Sequence, residues 1–564
     1  MAGWVLIATA LPKLPSSTGA SIRLLQPVGA VLLGIVLLGE RPSTWQLVAD
    51  RLTARPGRTG AVQLERAGYV VLGLRCQCRL RRSGSGVSTS VADPPRRQAD
   101  TGWLFGLYSA LFAVALILDQ LWWGGFEPRS VHALVVLAAM WVLLRPTSVV
   151  RFAVVTAAEV VSVALDMPFV GSHRLLELIS GAVVLGYLVW TTLRSRQVPA
   201  PGAVFEGIAP FLRVSLLVVY ASSALAKMNT SFFDPTVSCA SSMSRQIVWF
   251  DPSLLNGQWQ VEPAIWGTVL IEVTLPVLLA VRRTRLLALA VGAGFHTVLA
   301  LAGNVPFSAL AFALYVMFLP LDTARGVRAL LAGRLDPTQW TDRPTLVRGA
   351  QTLALVVLVG AWLVGVELGS SNSVPGLLGT PSAVVSPLIG GGTRLVVVVL
   401  ALGGAFLLVL SRRAAPGPPL YPTRSLRVGH PILVVGILVL VVNGLCPYLG
   451  LKTDTSFEMF SGLRTEPGAW NHLLVPEAVR VFGYQDQLVR VVASNDPALV
   501  ARSSERLVGF ELDRYVRSHP GTVATYTIAN EQNPRTLGPL APGPTLTERI
   551  ATFRDPVSPG NSRC

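Results

Sequence analysis

Three apolar stretches of this chain each carry one side chain that can move a proton. In FLRVSLLVVYASSALAKMNTSFF (211–233), Lys227 closes a segment otherwise fit for lipid, and Tyr220 and Ser223 precede it at helical spacing. On a helix these three share one face. Glu272 lies inside WGTVLIEVTLPVLLAV, one turn before Pro276, and His296 lies inside LLALAVGAGFHTVLALAG. A charged group in hydrocarbon costs roughly 2.5–3.5 kcal/mol on insertion scales, so each needs a partner, a water-filled cavity or an escape to the interface. Lysine at the end of a span has such an escape, because its stem can stay in lipid while the ammonium reaches the headgroups. Glutamate in mid-span has none, so Glu272 points to a polar interior, with Lys227 or His296 as its candidate partner. An amine held out of water is a base toward a weak acid such as a phenol. His296 serves equally well as a packed histidine or as a proton carrier.

The elements that must position these groups are membrane helices. Of 564 residues, 51% are hydrophobic and only 14% charged, which describes a polytopic membrane protein. Apolar windows fall at about 103–122, 131–145, 152–167, 175–192, 208–228, 264–281, 286–302, 308–320, 350–367, 394–411 and 430–449. The net charge of +16 comes from arginines clustered between these windows, so it marks cytoplasmic loops and not nucleic-acid binding. If the first window starts inside, then Arg145 and Arg151, Arg194 and Arg196, Arg282 to Arg285, Arg325 to Arg348, and Arg412 and Arg413 all face the cytoplasm. The loop 229–263 and everything after 450 then lie outside. Asp119, Glu159 and Glu177 also fall within or near spans, either lining the interior or marking span ends.

The expected fold is an all-α polytopic helix bundle with a small extracytoplasmic α+β domain at the C-terminus. That tail, 450–564, shows a strand pair in VRVFGY and LVRVVAS, an amphipathic helix near FELDRYVRS, and a strand in TVATYTIA. Trp470, Asn471 and His472 sit in it as candidate substrate-binding groups capping the cavity, though the same residue types suit an interfacial belt or a domain core. Cys239 and Cys446 both fall on the outer side, where a disulfide is permitted, and spacing says nothing of their separation. Cys76 and Cys78 lack the further ligands a zinc site needs, and no metal is expected.

Two resemblances add to this reading. YASSALAKMNTSFF, then the span with Glu272 and Pro276, then RRTR, then FHTVLALAGNVPFSALAFALYVMFLPLD, is similar in order and spacing to the HTTM domain family, the class of the vitamin K-dependent gamma-carboxylase. It covers roughly 105–325, and TSFEMFSGLRTEPGAWNHLLVP extends it to about 480. The resemblance implies a carbon–carbon lyase in which Lys227 is the base that deprotonates a reduced quinone of the vitamin K or menaquinol type. The intramembrane polar set adds Glu272 and His296 as its catalytic partners and Tyr220 and Ser223, on the lysine's helix face, as substrate-binding groups. Where the family has a paired lysine and a later aspartate, this chain has Ala226 and Asn229. The membrane lipid and its quinol are the implied partners. The second resemblance lies in ALPKLPSSTGASIRLLQPVGAVLLGIVLLGERPS, which is similar to the closing helices of EamA-type drug/metabolite transporters. It gives a different reading, a transporter or lipid-binding protein whose polar residues line a path. The organisation expected is therefore an EamA-like fragment at 1–43, a basic linker at 44–101, an HTTM-like core at 102–325, further membrane helices at 326–449, and the outer domain at 450–564.

Overall fold

The computed structural model describes residues 94–123, 131–247, 259–332, 385–414, 419–421, 426–528, 531 and 533–556. The chain divides into two units, Met1–Arg96 and Arg97–Cys564. The first lies almost wholly outside the described residues, and with it the EamA-like fragment and most of the basic linker. The window 350–367 lies outside them too.

The second unit is a bundle of helices followed by a small mixed domain. In chain order the helices are α1 (Pro94–Trp123), α2 (Val131–Leu144), α3 (Val149–Asp166), α4 (Ser172–Ser195), α5 (Pro201–Lys227), α6 (Thr230–Phe233), α7 (Cys239–Gln246), α8 (Val261–Ala280), α9 (Arg285–Leu301), α10 (Val305–Tyr315), α11 (Leu321–Ala332), α12 (Val385–Ala414) and α13 (Pro431–Leu449). Among the described residues six helices are long and apolar enough to cross a membrane: α1, α4, α5, α8, α12 and α13. The chain therefore reads as a multi-pass membrane protein. Leu165, Leu193, Leu270, Leu402 and Leu438 stand exposed on the helix exteriors, as residues bathed in lipid must. α2 and α9 are shorter apolar helices.

One expected span is broken. The window 308–320 becomes α10, a 3-10 turn at Val316–Phe318, and then α11, with a 102° bend between the two helical stretches. Pro320 accounts for the break, because it has no N–H to give and forces Leu319 into extended backbone.

α5 is the axis of the bundle. Pro201 opens it at a position where the missing N–H is no loss. Val204, Phe205, Ile208, Phe211, Leu212 and Leu216 are buried against the surrounding helices in the main core. At the far end, α13 stops at Gly450, whose φ of +77° suits glycine. A Cβ there would lie 2.3 Å from the Phe482 carbonyl. This closeness lets the Leu449 carbonyl accept from the N–H groups of both Val481 and Phe482. VRVFGY is consequently an irregular connection and not a strand, because the end of α13 has taken its backbone donors.

LVRVVAS is a strand, β1 (Leu488–Ser494), but its partners are different from those expected. It pairs with β2 (Leu507–Val508) and with β3 (Ala524–Ile528), while β3 pairs with β4 (Arg535–Leu537), giving an antiparallel sheet in the order β2-β1-β3-β4. The amphipathic segment forms α15 (Gly509–Ser518), after a short α14 (Pro497–Ala501), and a capped turn, α16 (Leu546–Ile550), ends the domain. Val489, Val491, Leu512 and Val516 make its core. Cys446 is a free, buried thiol, so no bond joins it to Cys239, which is disulfide-bonded elsewhere.

Candidate functional site

The last turns of α5 present Tyr220, Ser223 and Lys227 to a cavity of about 400 Å³. Its walls come from α8 and α9, with Phe232 of α6, Met243 and Ser244 of α7, Phe307 of α10, and Met459 and Phe460 from the segment after α13. Most of that lining is apolar. Its few polar groups include Tyr220, Ser223, Lys227 and Glu272, which suits a ligand with a hydrophobic body and a few oxygens.

Lys227 is 3% exposed and its ammonium turns inward. It donates to the Ser223 hydroxyl at 2.7 Å and to the Met459 carbonyl at 3.0 Å, and it lies 2.9 Å from Glu272 Oε2. The last contact is an ion pair by distance and not an aligned hydrogen bond, since Glu272 Oε2 accepts none. The Phe232 ring lies 5.8 Å from the ammonium and adds a cation–π contact. Glu272 is 6% exposed on α8, and Pro276 leaves its backbone carbonyl without the usual helical donor. Of the two partners open to Glu272 in the sequence, the fold supplies Lys227.

His296 belongs to a different cluster. Its Nε2 is 2.6 Å from the Tyr220 hydroxyl, which is also 2.6 Å from the Tyr315 hydroxyl. All three side chains are buried, and the imidazole lies among the rings of Phe295, Phe307 and Tyr315. Tyr220 lines the cavity and His296 stays behind it, so the histidine reaches the cavity only through the tyrosine. The packing needs Gly292: a Cβ there would lie 2.2 Å from the Tyr315 hydroxyl.

Trp470, Asn471 and His472 are absent from the cavity wall among the described residues. They fasten the segment 455–475 to the end of α5. Asn471 Nδ2 donates to Asn229 Oδ1, Ser231 Oγ and the Gly462 carbonyl, while its Oδ1 accepts from the Arg464 N–H. His472 Nε2 meets the Leu225 carbonyl at 2.9 Å, and its Nδ1 accepts from the N–H groups of Leu474 and Val475. That pattern fixes the neutral tautomer with the proton on Nε2. Burial holds the ring below the ordinary histidine range, against the opposing pull of the Leu225 carbonyl. Trp470 Nε1 donates to the Val475 carbonyl. Asn229 completes the joint by donating to the Ala226 and Ser461 carbonyls and capping α6.

The groups that sequence reading passed over are Tyr315, Met459 and Phe460. The latter two belong to an irregular stretch in which Thr455, Phe457 and Phe460 all take positive φ. Backbone of that kind has no periodicity to read, although its neighbour Gly462, also at positive φ, hints at a tight turn. Tyr315 sits in a helix apolar on every side, where one hydroxyl gives no signal. The chain matches no family model, no curated protein and no solved structure.

Proposed function

We propose that this protein is a quinol-dependent membrane enzyme of the HTTM, gamma-carboxylase-like kind, with its C-terminal domain on the outer side of the membrane and its chemistry at the Lys227–Glu272 pair. The observation that carries the reading is a buried ammonium and carboxylate, 2.9 Å apart, on the wall of an apolar cavity of about 400 Å³. The residues fit a hydrophobic aromatic diol: apolar walls for its ring and tail, and Lys227, Glu272, Ser223 and Tyr220 for its oxygens. A quinol bound there would supply, with oxygen, the strong base that the family's carboxylation needs.

The pairing refines the role of the lysine. With Glu272 2.9 Å from the Lys227 nitrogen, the two residues act as one base. Glu272 takes the proton of a hydroxyl placed against the pair, and Lys227 keeps its charge to face the oxygen left behind. Net charge on the pair goes from zero to plus one, so the cavity gains a positive charge as the ligand oxygen gains a negative one. Ser223 and the Met459 carbonyl hold the ammonium in place throughout. Tyr220, backed by His296 and Tyr315, offers a second hydroxyl two turns away along α5.

The same apolar walls favour a second reading, a carrier or lipid-binding protein. The two separate on a photoactivatable quinone analogue in lipid nanodiscs. The enzyme reading expects crosslinks on the cavity-facing residues of α8 and α9, displaced by reduced menaquinone and weakened at least tenfold in Lys227→Ala. Crosslinks spread over lipid-facing residues, together with solute flux that depends on Glu272, favour the carrier and oppose the enzyme.

A further inference from the structure

A second buried polar cluster lies on α1 to α4, on helices that the cavity beside Lys227 does not use. Arg174 NH1 donates to Asp166 Oδ2 at 2.5 Å, and its NH2 donates to Ser162 Oγ at 3.0 Å. Arg174 Nε lies 3.5 Å from Asp119 and 3.7 Å from Glu159. His173 Nε2 is 2.9 Å from Asp119 Oδ1, and His132 reaches Ser162 Oγ with Nδ1 at 3.1 Å and Asp166 with Nε2 at 3.4 Å. Glu177, one turn along α4 from His173, interacts directly with the Glu159 carboxyl and has no cation within ion-pair distance among the described residues.

The charges do not cancel. Asp119, Glu159, Asp166 and Glu177 are four carboxyls, and Arg174 with both imidazoles protonated gives at most three positive charges. At least one proton is therefore missing from any neutral accounting, and the hydrogen bonds point to where it sits. Asp119 and Asp166 each hold short contacts to cations, whereas neither Glu159 oxygen accepts a hydrogen bond, and Glu177 Oε2 accepts none. Two ionised carboxylates facing each other in this buried site would share one guanidinium, Arg174 at 3.7 Å from Glu159, which Asp166 and Asp119 also engage, and that leaves a cost it does not offset. A single shared proton removes that cost.

A separate feature adjoins Glu177. Glu177 and Ser180, 5% and 9% exposed, line a small cavity together with Tyr108, Thr156 and Leu314. Neither Glu177 Oε2 nor Ser180 Oγ has a hydrogen-bond partner. The volume, about 20 Å³, admits a single water, and the polar atoms facing it are the partners such a water needs.

We infer that Glu159 and Glu177 form a proton-binding carboxyl pair, which takes its proton from a water seated beside Ser180. In the loading step a hydronium proton passes through that water to a carboxylate oxygen, the pair goes from two negative charges to one, and neutral water remains. The groups facing the pair are Asp119 and Tyr108 from α1, His132 from α2, Asp166 from α3, and His173 and Arg174 from α4. α5 and α10 contribute only Leu212, Leu310 and Leu314 to the cavity.

Infrared spectroscopy of the full-length protein in lipid nanodiscs at pH 7 reads this directly. The wild type is expected to show the carbonyl stretch of one buried protonated carboxyl per chain, shifted in heavy water. That band is lost in Glu177→Gln and in Glu159→Gln. Glu177→Asp, which keeps the charge and shortens the reach, retains the band at a moved frequency and shows that the bundle still folds. A wild type with no such band overturns the inference, as does a band at full intensity in both glutamine variants. Loss of the band on adding sodium at constant pH also overturns it, because the occupant would then be a metal cation.

Discussion

Lys227 and Glu272 are held as a pair, and pairs of this kind punish half-removal. Lys227→Met or Glu272→Leu alone leaves one buried charge and is expected to cost about 3–5 kcal/mol, while the double variant, apolar at both positions, recovers most of that loss. Thermal melting of the four proteins in one detergent checks it; equal losses that simply add would mean that the two groups do not sense each other. At His472 the prediction concerns pH. The folded ring is held below its ordinary range, so the unfolded chain binds the extra proton first, and the clamp loses stability as pH falls through and below about 6.5. Protection factors of the amides at 470–475, which remove the intrinsic pH dependence of exchange, should fall between pH 7 and pH 5, and His472→Asn should flatten that response. Much of this residue-level picture was legible beforehand. Tyr220, Ser223 and Lys227 share a face because helical spacing requires it, and Glu272 had no interface to escape to. The link of His296 to Tyr220 and not to Glu272 was not legible, because it depends on how far α9 is rotated about its axis, and an apolar helix carries no mark of that rotation.

At the scale of elements, the cavity is enclosed between α5, α8 and α9, with α8 tied to α5 by the Lys227–Glu272 pair and α10 pressed close to α9. Gly292 is the contact that permits the approach, with the Tyr315 hydroxyl where a side chain would begin. Gly292→Ala is expected to push Tyr315 away from Tyr220, to cost about 1–3 kcal/mol by overpacking, and to weaken ligand binding in the cavity without touching the Lys227–Glu272 pair. Melting and crosslinking yield measured on the same preparation check both effects; unchanged values would show that α9 and α10 have room to spare. The elements themselves were largely visible as apolar windows, since length and composition define a span. Two were not. The window ending at Pro320 reads as one helix by hydropathy, which does not register a missing N–H. The partner of LVRVVAS was misassigned to the nearest apolar segment, while its longest pairing is with Ala524–Ile528, thirty residues on and across a bulge between Val491 and Ala493. Pairing at that distance in sequence leaves no local signature.

For the molecule as a whole, the proposed topology, read from the arginine clusters, sets the domain after 450 outside. Leu546→Cys, at a site 75% exposed, should be labelled by a membrane-impermeant thiol reagent on intact cells, whereas Arg194→Cys should require permeabilised ones. The reverse pattern would invert every loop. In that orientation both polar sites, the amine–carboxylate pair and the acidic cluster, occupy the outer half of the bundle. Asp119, Glu159 and Glu177 could each be singled out in the sequence, but their meeting could not, because it depends on Arg174 and His173 at the start of α4 and on four helices converging. The central claim is that the Lys227–Glu272 pair deprotonates a membrane quinol, and aerobic turnover of reduced menaquinone by the purified protein in nanodiscs tests it most directly. Oxygen-dependent quinone epoxide should form with wild type and fall by at least a hundredfold in folded Lys227→Ala and Glu272→Gln. Epoxide formed at the wild-type rate by either variant, or by none of the three proteins, would contradict the account.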